Sequence, residues 1–271
     1  MYDENQTEAS KGALVELALA LNQYKGEYVL CGGWAPYFLT LGHVEHCGSL
    51  DIDLVLSPNV VERYESIREI LTELGYFPTD NPFRFEREIA DLSGAAFTIH
   101  IDLLSEPDAE RYLAPFIRVQ TDLSAVLIPG CSIALRYYVT RTVKGRIPAG
   151  GAASTDVRIT DIVSTLTMKG LALGRPGKLE KDSYDIYTVA GFHGGGPRES
   201  ANGFIESVGN NDGDIPEVTR TALRRIERGF ESPDHYASLA VSRFMEEDIS
   251  VDASERVNAF LSDVDQHFRE L

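Results

Sequence analysis

Residues 51–56 read Asp-Ile-Asp-Leu-Val-Leu, and this alternation limits what the chain can fold into more sharply than any other stretch. Side chains two apart on a β-strand point to the same face. Asp51 and Asp53 therefore project together, while Ile52 and Leu54 turn toward a core. Two like charges this close repel unless a cation sits between them. A pair of magnesium ions ~3.5–4 Å apart is the usual arrangement where phosphoryl groups are transferred. The plain alternative is an exposed strand whose outward positions are acidic.

Three neighbours favour the metal. Gly32-Gly33 end a short apolar strand, Glu27–Cys31, and open a helix, Trp34–Leu41. Glycine lets backbone N–H groups approach a phosphate, and a helix N-terminus favours negative charge; a simple tight turn needs the same glycines. Ser49 precedes the acidic strand, where its hydroxyl and amide can reach the same phosphates or bond to backbone. The stretch Phe97-Thr-Ile-His-Ile-Asp102-Leu-Leu places Asp102 opposite Ile99, Ile101 and Leu103. An acid in so apolar a strand is costly unless paired or metal-bound. A third metal ligand or a catalytic base is expected in preference to a plain ion pair.

The remaining pattern gives an α/β (α+β) chain: a mixed sheet with flanking helices in residues 1–158, then a helical half in 159–271. A first helix is expected over Thr7–Tyr24 and strands over Leu50–Leu56, Arg84–Glu88 and Ala96–Leu104. A helix starting at Ser57-Pro58 carries Val60, Tyr64, Ile67, Leu71 and Leu74 on one stripe and stops at Gly75. A hairpin over 133–158 turns at Pro148-Ala-Gly-Gly. Helices follow over 161–173, 178–190, 216–229, 236–247 and 254–270, with His193-Gly-Gly-Gly-Pro197 as a breaker.

Composition excludes several classes. No apolar run reaches the ~18 residues that cross a bilayer, and MYDENQTEAS has no basic or apolar segment of a signal peptide, so a cytoplasmic location is expected. Cys31, Cys47 and Cys131 are too few for a disulfide framework and read as small apolar residues. A zinc site from His43, His46 and Cys47 lacks a second ligand pair. The net charge of −17 argues against broad coating of nucleic acid. Arg136, Arg141, Lys144, Arg146 and Arg158 form a local basic concentration, which suits either RNA guidance or a solvated hairpin. No Walker A lysine follows a glycine loop, and no G-x-S-x-G elbow accompanies His193-Gly-Gly-Gly.

YVLCGGWAPYFL and HCGSLDIDLVL together resemble the strand–Gly-Gly–helix–D-x-D signature of the DNA polymerase β-like nucleotidyltransferase superfamily, and GGWA is similar to the wording of aminoglycoside nucleotidyltransferases. MKGLALGRPGKLEKDSYDIYTV resembles a stretch of the AbiEii/AbiGii-type nucleotidyltransferase toxins. With Asp102 in IHIDLL the resemblance spans residues 27–190. It implies Asp51, Asp53 and Asp102 as ligands of Mg2+ or Mn2+, and Gly32, Gly33 and Ser49 against a nucleoside triphosphate (NTP). It further implies Lys169 and Asp182 in catalysis, with Lys169 and Asp185 also at the nucleotide. Taken alone, Lys169 on the buried stripe of its helix is a snorkelling lysine, and Lys178–Asp182 and Lys181–Asp185 are four-residue surface pairs.

One departure stands out. His46 occupies a position, five before Asp51, where such proteins often carry arginine, so a guanidinium for phosphate would have to come from Arg84, Arg87 or elsewhere. The toxin resemblance implies transfer to RNA, with the tRNA 3′ end as acceptor, and a cognate antitoxin as partner. Rival readings are a small-molecule, aminoglycoside-like transferase, which the acidity suits, and a non-catalytic relative that binds nucleotide or protein.

Overall fold

The computed structural model describes residues 3–58, 60, 65–106 and 115–269. In chain order they form α1 (Glu4–Ala20), β1 (Tyr28–Cys31), α2 (Trp34–Thr40), β2 (Ile52–Leu56), α3 (Ile67–Glu73), β3 (Phe77–Pro78), β4 (Arg84–Ala90), β5 (Ala96–Ser105), β6 (Phe116–Gln120), β7 (Leu123–Leu127), β8 (Tyr138–Arg146) and β9 (Ala152–Thr160). The helices α4 (Ile162–Ala172), α5 (Leu179–Phe192), α6 (Pro197–Asn211), α7 (Glu217–Phe230), α8 (Tyr236–Met245) and α9 (Ser250–Arg269) follow. The chain is thus mixed α/β, with the strands early and a helical second half. It divides into two compact units: one holds the chain up to Trp34 and Cys47–Thr160, the other Ala35–His46 and the chain from Asp161 onward.

In the first unit the sheet runs β3-β4-β5-β2-β1-β9-β8, with β7 also on β5 and β6 on β7. It is mixed: β2 lies parallel to β5 and antiparallel to β1, and β1 lies parallel to β9. One face is apolar and closed, with Ile52, Leu54, Ile99, Ile101, Leu103, Val143, Val157 and Ile159 all buried. That burial sets the register, because a slip of one residue would turn each strand's apolar set outward.

Helix α1 packs on β8 and β9, and it is buried along most of its length, including Ala13, Leu14, Val15 and Leu17. Its contact with the edge strand β8 is backbone on backbone. A Cβ on Gly12 would stand 1.9 Å from the Arg146 carbonyl oxygen, and one on Gly145 would stand 3.0 Å from the Gly12 Cα. Buried Glu16, on the same helix, accepts from Arg87 at 2.5 Å and from the Ala149 N–H at 3.0 Å, tying β4 and the β8–β9 turn to α1. Arg87 is therefore a structural partner of Glu16.

Several expectations need correction. The helix expected from Ser57-Pro58 has its N-cap at Ser66, in a reciprocal capping box with Glu69; residues 59 and 61–64, including Tyr64, lie outside the described residues. The β6–β7 hairpin and helix α6 are additional elements. The glycine breaker ends α5, and Pro197 then occupies the first turn of α6, where a missing N–H costs nothing.

The second unit is helical by itself. Thr167 of α4 and Thr219 of α7 share a buried hydrogen bond of 2.8 Å. Phe204 of α6 meets Phe260 of α9 edge to face at 5.8 Å. None of the three cysteines is in a disulfide.

The Gly12 contact yields a first prediction. Gly12→Ala should lower the unfolding free energy by about 1–3 kcal/mol through overpacking. Gly26→Ala, whose Cβ would meet nothing within 4 Å, should leave chemical denaturation nearly unchanged.

Candidate active site

Three strands bring the charged residues of the first unit into one row. Asp53 of β2 pairs in register with Asp102 of parallel β5, and Asp102 pairs with Arg84 of antiparallel β4. Arg84 forks onto Asp102, with Nε donating to Oδ1 at 2.6 Å and Nη2 to Oδ2 at 2.5 Å. The hydrogen bonds to Asp102 raise the guanidinium pKa above its ordinary value, reinforced by Asp51 and Asp53. The ion pair, the less expected alternative for Asp102, is thus present.

Asp51 lies just ahead of β2 rather than within it. Its Oδ1 is 3.2 Å from His100 Nδ1, and His100 stands two residues before Asp102 on β5, with Nε2 3.7 Å from Glu86. His100 belongs to the site although it was not among the residues expected there; its alternation with Asp102 was the available signal.

The glycines lie against these side chains. A Cβ on Gly32, whose φ is +68°, would fall 1.8 Å from Asp53 Oδ2. One on Gly33 would fall 2.8 Å from Ser49 Oγ. Both positions are bare backbone because a side chain has no room. Ser49 donates to the Asp51 carbonyl at 3.1 Å, which leaves its oxygen lone pairs available. Helix α2 has only seven residues, so the cradle owes little to a helix dipole and more to the glycine backbone.

Three carboxylates balanced by one guanidinium leave negative charge in excess, and hard oxygen donors of this kind suit Mg2+ or Mn2+. The donor set therefore fits a divalent cation. Among the described residues no three His, Cys, Asp or Glu groups are gathered as a finished coordination set.

Lys169, Asp182 and Asp185 come together in the second unit. Lys169 Nζ, near the end of α4, donates to Asp182 Oδ1 at 2.7 Å and lies 2.7 Å from Asp185 Oδ2 without hydrogen-bond alignment. Asp185 also accepts from Lys181, and its Oδ1 is 3.0 Å from His46 Nε2. His46 in turn meets Tyr184 with the rings tilted by 30°, and Tyr184 stacks on Phe244 at 4.6 Å. Asp185 is 0% exposed, so its oxygens are enclosed by this cluster rather than open to a ligand. Of the pairs expected from four-residue spacing, Lys181–Asp185 is present but drawn into this buried network, and Asp182 is held by Lys169.

Two lysines and two aspartates cancel, so a charge on His46 would be an uncompensated buried cation. Burial pushes the imidazole pKa down to about 4, against the pull of Asp185. Neutral His46 must then carry its proton on Nε2, because a carboxylate only accepts. Burial opposes the charge on Asp185, but Lys169, Lys181 and His46 reverse this and hold its carboxyl well below the usual range. Burial likewise opposes the Lys169 charge, and Asp185 and Asp182 outweigh it, so that its pKa is raised.

The first unit thus sets its carboxylate row beside a glycine pair on a mixed sheet. The family described as nucleotidyl transferase AbiEii toxin, of type IV toxin–antitoxin systems, matches residues 13–269, and the chain belongs to that family. A solved antigenic nucleotidyltransferase-like protein from Paracoccidioides brasiliensis is 15% identical, with a TM-score of 0.45, over 90% of this chain and 98% of that one. No curated protein matches the chain.

The His46 environment predicts a pH dependence. The folded pKa lies below the unfolded value of 6.5, so between 6.5 and about 4 the unfolded state binds the extra proton and stability falls as pH falls. The loss across that window should reach roughly 3 kcal/mol. Urea melts from pH 7 to 4 should show it, and His46→Gln should flatten the profile.

Proposed function

We propose that the chain is a metal-dependent nucleotidyltransferase that moves a nucleoside monophosphate from an NTP to an acceptor hydroxyl, and that the acceptor is RNA, with the tRNA 3′ end foremost. The observation that carries the reading is the in-register pairing of Asp53 with Asp102, with Gly32 lying directly against the Asp53 carboxylate. Asp51, Asp53 and Asp102 would hold Mg2+ or Mn2+. When bound, the metal draws charge from the phosphates and makes the acceptor hydroxyl more acidic. Gly32 and Gly33 offer bare backbone to the triphosphate, and Ser49 adds its hydroxyl. In the transfer the acceptor oxygen bonds to the α-phosphorus as the α–β anhydride bond breaks. Pyrophosphate leaves with the electron pair, and the hydroxyl proton passes to Asp102. Lys169 and Asp182, with Asp185 behind them, remain assigned to this activity on the sequence resemblance.

The RNA acceptor is supported by the basic residues on the sheet face that carries Asp53. Leu30 pairs with Ile159 on the closed face, so Arg158 lies on the face of Cys31 and Asp53. Pairing of β8 with β9 then puts Lys144 and Arg146 on that face too. Both are exposed, and neither has an acidic partner among the described residues. Arg158 is engaged by the Gly26 carbonyl and the Tyr138 ring. Arg141 takes the opposite face and Arg136 precedes β8, so the five-residue basic group of the sequence resolves into a smaller patch. A cognate antitoxin partner follows from the type IV description. No helix among the described residues is long and apolar enough to cross a membrane, and NTP and RNA substrates agree with action in the cytoplasm.

Purified protein incubated with each labelled NTP, Mg2+ and total tRNA should label the tRNA, and Asp53→Ala should reduce the label to background. Label on a polycationic small molecule and none on RNA would overturn the acceptor assignment. Substituting both Lys144→Glu and Arg146→Glu should raise KM for tRNA and flatten the log–log salt dependence of binding by about 1 for each phosphate no longer neutralised. KM for the NTP should stay as it was.

A further inference from the structure

We infer that Arg84 is a triphosphate-binding residue that waits on Asp102 in the free protein and changes partner when metal and nucleotide enter. The inference rests on the nucleotidyltransferase reading of the site and adds a residue and an order of events to it.

Both Asp102 oxygens are occupied by the fork from Nε and Nη2. A divalent cation drawing on the same carboxylate would bring two positive centres together in a partly enclosed site, so the two occupants compete. The guanidinium displaced by a cation does not leave the site, because its strand position is fixed by the pairing of Arg84 with Asp102. It then stands next to the triphosphate that accompanies the cation, and its planar fork matches two phosphate oxygens as well as it matches a carboxylate.

Two further observations agree. Nη1 takes no part in the Asp102 pair, so a donor nitrogen remains while the fork is closed. The Arg84 side chain is 34% exposed against 16% for Asp102, so the guanidinium has a solvent side to turn toward. Arg84 is also the first residue of β4, with its N–H bonded to the Asn81 carbonyl at 2.9 Å. The backbone is therefore held while the side chain exchanges. His46 is no substitute, since its imidazole is buried and committed to Asp185.

A purely structural ion pair would give a different pattern on removal. Losing it would free Asp102 for the metal and leave triphosphate binding unchanged. Partner exchange requires opposite signs: metal binding alone strengthens, and triphosphate binding weakens.

The test uses the full chain, with Mn2+ alone followed by paramagnetic resonance, and an NTP carrying an α,β-methylene bridge titrated calorimetrically at saturating Mn2+. Arg84→Met should bind Mn2+ alone at least about tenfold more tightly, the low end of what a neighbouring guanidinium does to a carboxylate's proton affinity. It should bind the bridged triphosphate at least about tenfold more weakly. Arg84→Lys keeps the charge but loses the fork, and should show the same two signs with smaller size; it decides alone if the Met variant does not fold. Wild type binding both probes while folded variants bind Mn2+ no more tightly, or the triphosphate no more weakly, overturns the exchange and spares the transferase reading. Wild type binding neither probe overturns both.

Discussion

The sheet of the first unit holds two carboxylates side by side, and that placement is imposed by residues with no charge at all. Ile52 and Leu54 on β2, with Ile101 and Leu103 on β5, share the closed face. Parallel pairing of those positions leaves Asp53 no choice but to face Asp102. Apolar burial worth several kcal/mol across these side chains outweighs a repulsion that water and Arg84 reduce. The arrangement stores an unmet demand for positive charge on one face of a rigid sheet. A single guanidinium answers part of it, and a divalent cation would answer the rest. The close glycines belong to the same design, since Gly32 lies where a side chain would collide with Asp53.

The helical unit resolves the opposite problem. Its charges are taken out of water, and they are matched in number and in geometry around Asp185. Such a network adds little net stability over an apolar replacement, but removal of one member strands the others. Neutral His46 fits because it supplies a donor without disturbing the balance. The rings of Tyr184 and Phe244, with Tyr184 tilted against His46, line one side of the cluster. Acidic chains rarely hide lysines, and here two of the six in the sequence are used to hold one aspartate.

What could be read from the sequence was local. Alternation located β2 and β5 and the facing of Asp102, and helical spacing located α4, α5, α7, α8 and α9 within a few residues. What could not be read depended on partners distant in the chain. Arg84 and Asp102 meet because β4 turns back on β5, and nothing in either segment alone specifies that register. His46 reaches Asp185 across 139 positions, so its resemblance-based role as a missing arginine could not disclose the contact it makes. Helix α6 was hidden by low apolar content behind a glycine run, and the Ser66 capping box by a stronger-looking Ser-Pro signal upstream. Gly12 carries no signal of its own, because a glycine in a Leu/Ala-rich helix is merely a weak position unless a backbone such as that of Arg146 lies against it.

The chain's path also bears on how the protein is made. Residues 35–46 leave the first unit and belong with the chain from Asp161 onward, although they are synthesised long before it. Ala35, Leu39 and Thr40, each 4% exposed or less in the finished protein, have no partner unit to bury them while the strands are emerging from the ribosome. Helix α1 waits likewise for β8 to supply the backbone that Gly12 touches. At ~5–20 residues per second, the apolar side of α2 spends several seconds or longer without its own unit. That interval, more than the folded state, is where this chain is open to chaperones, proteases and early self-association.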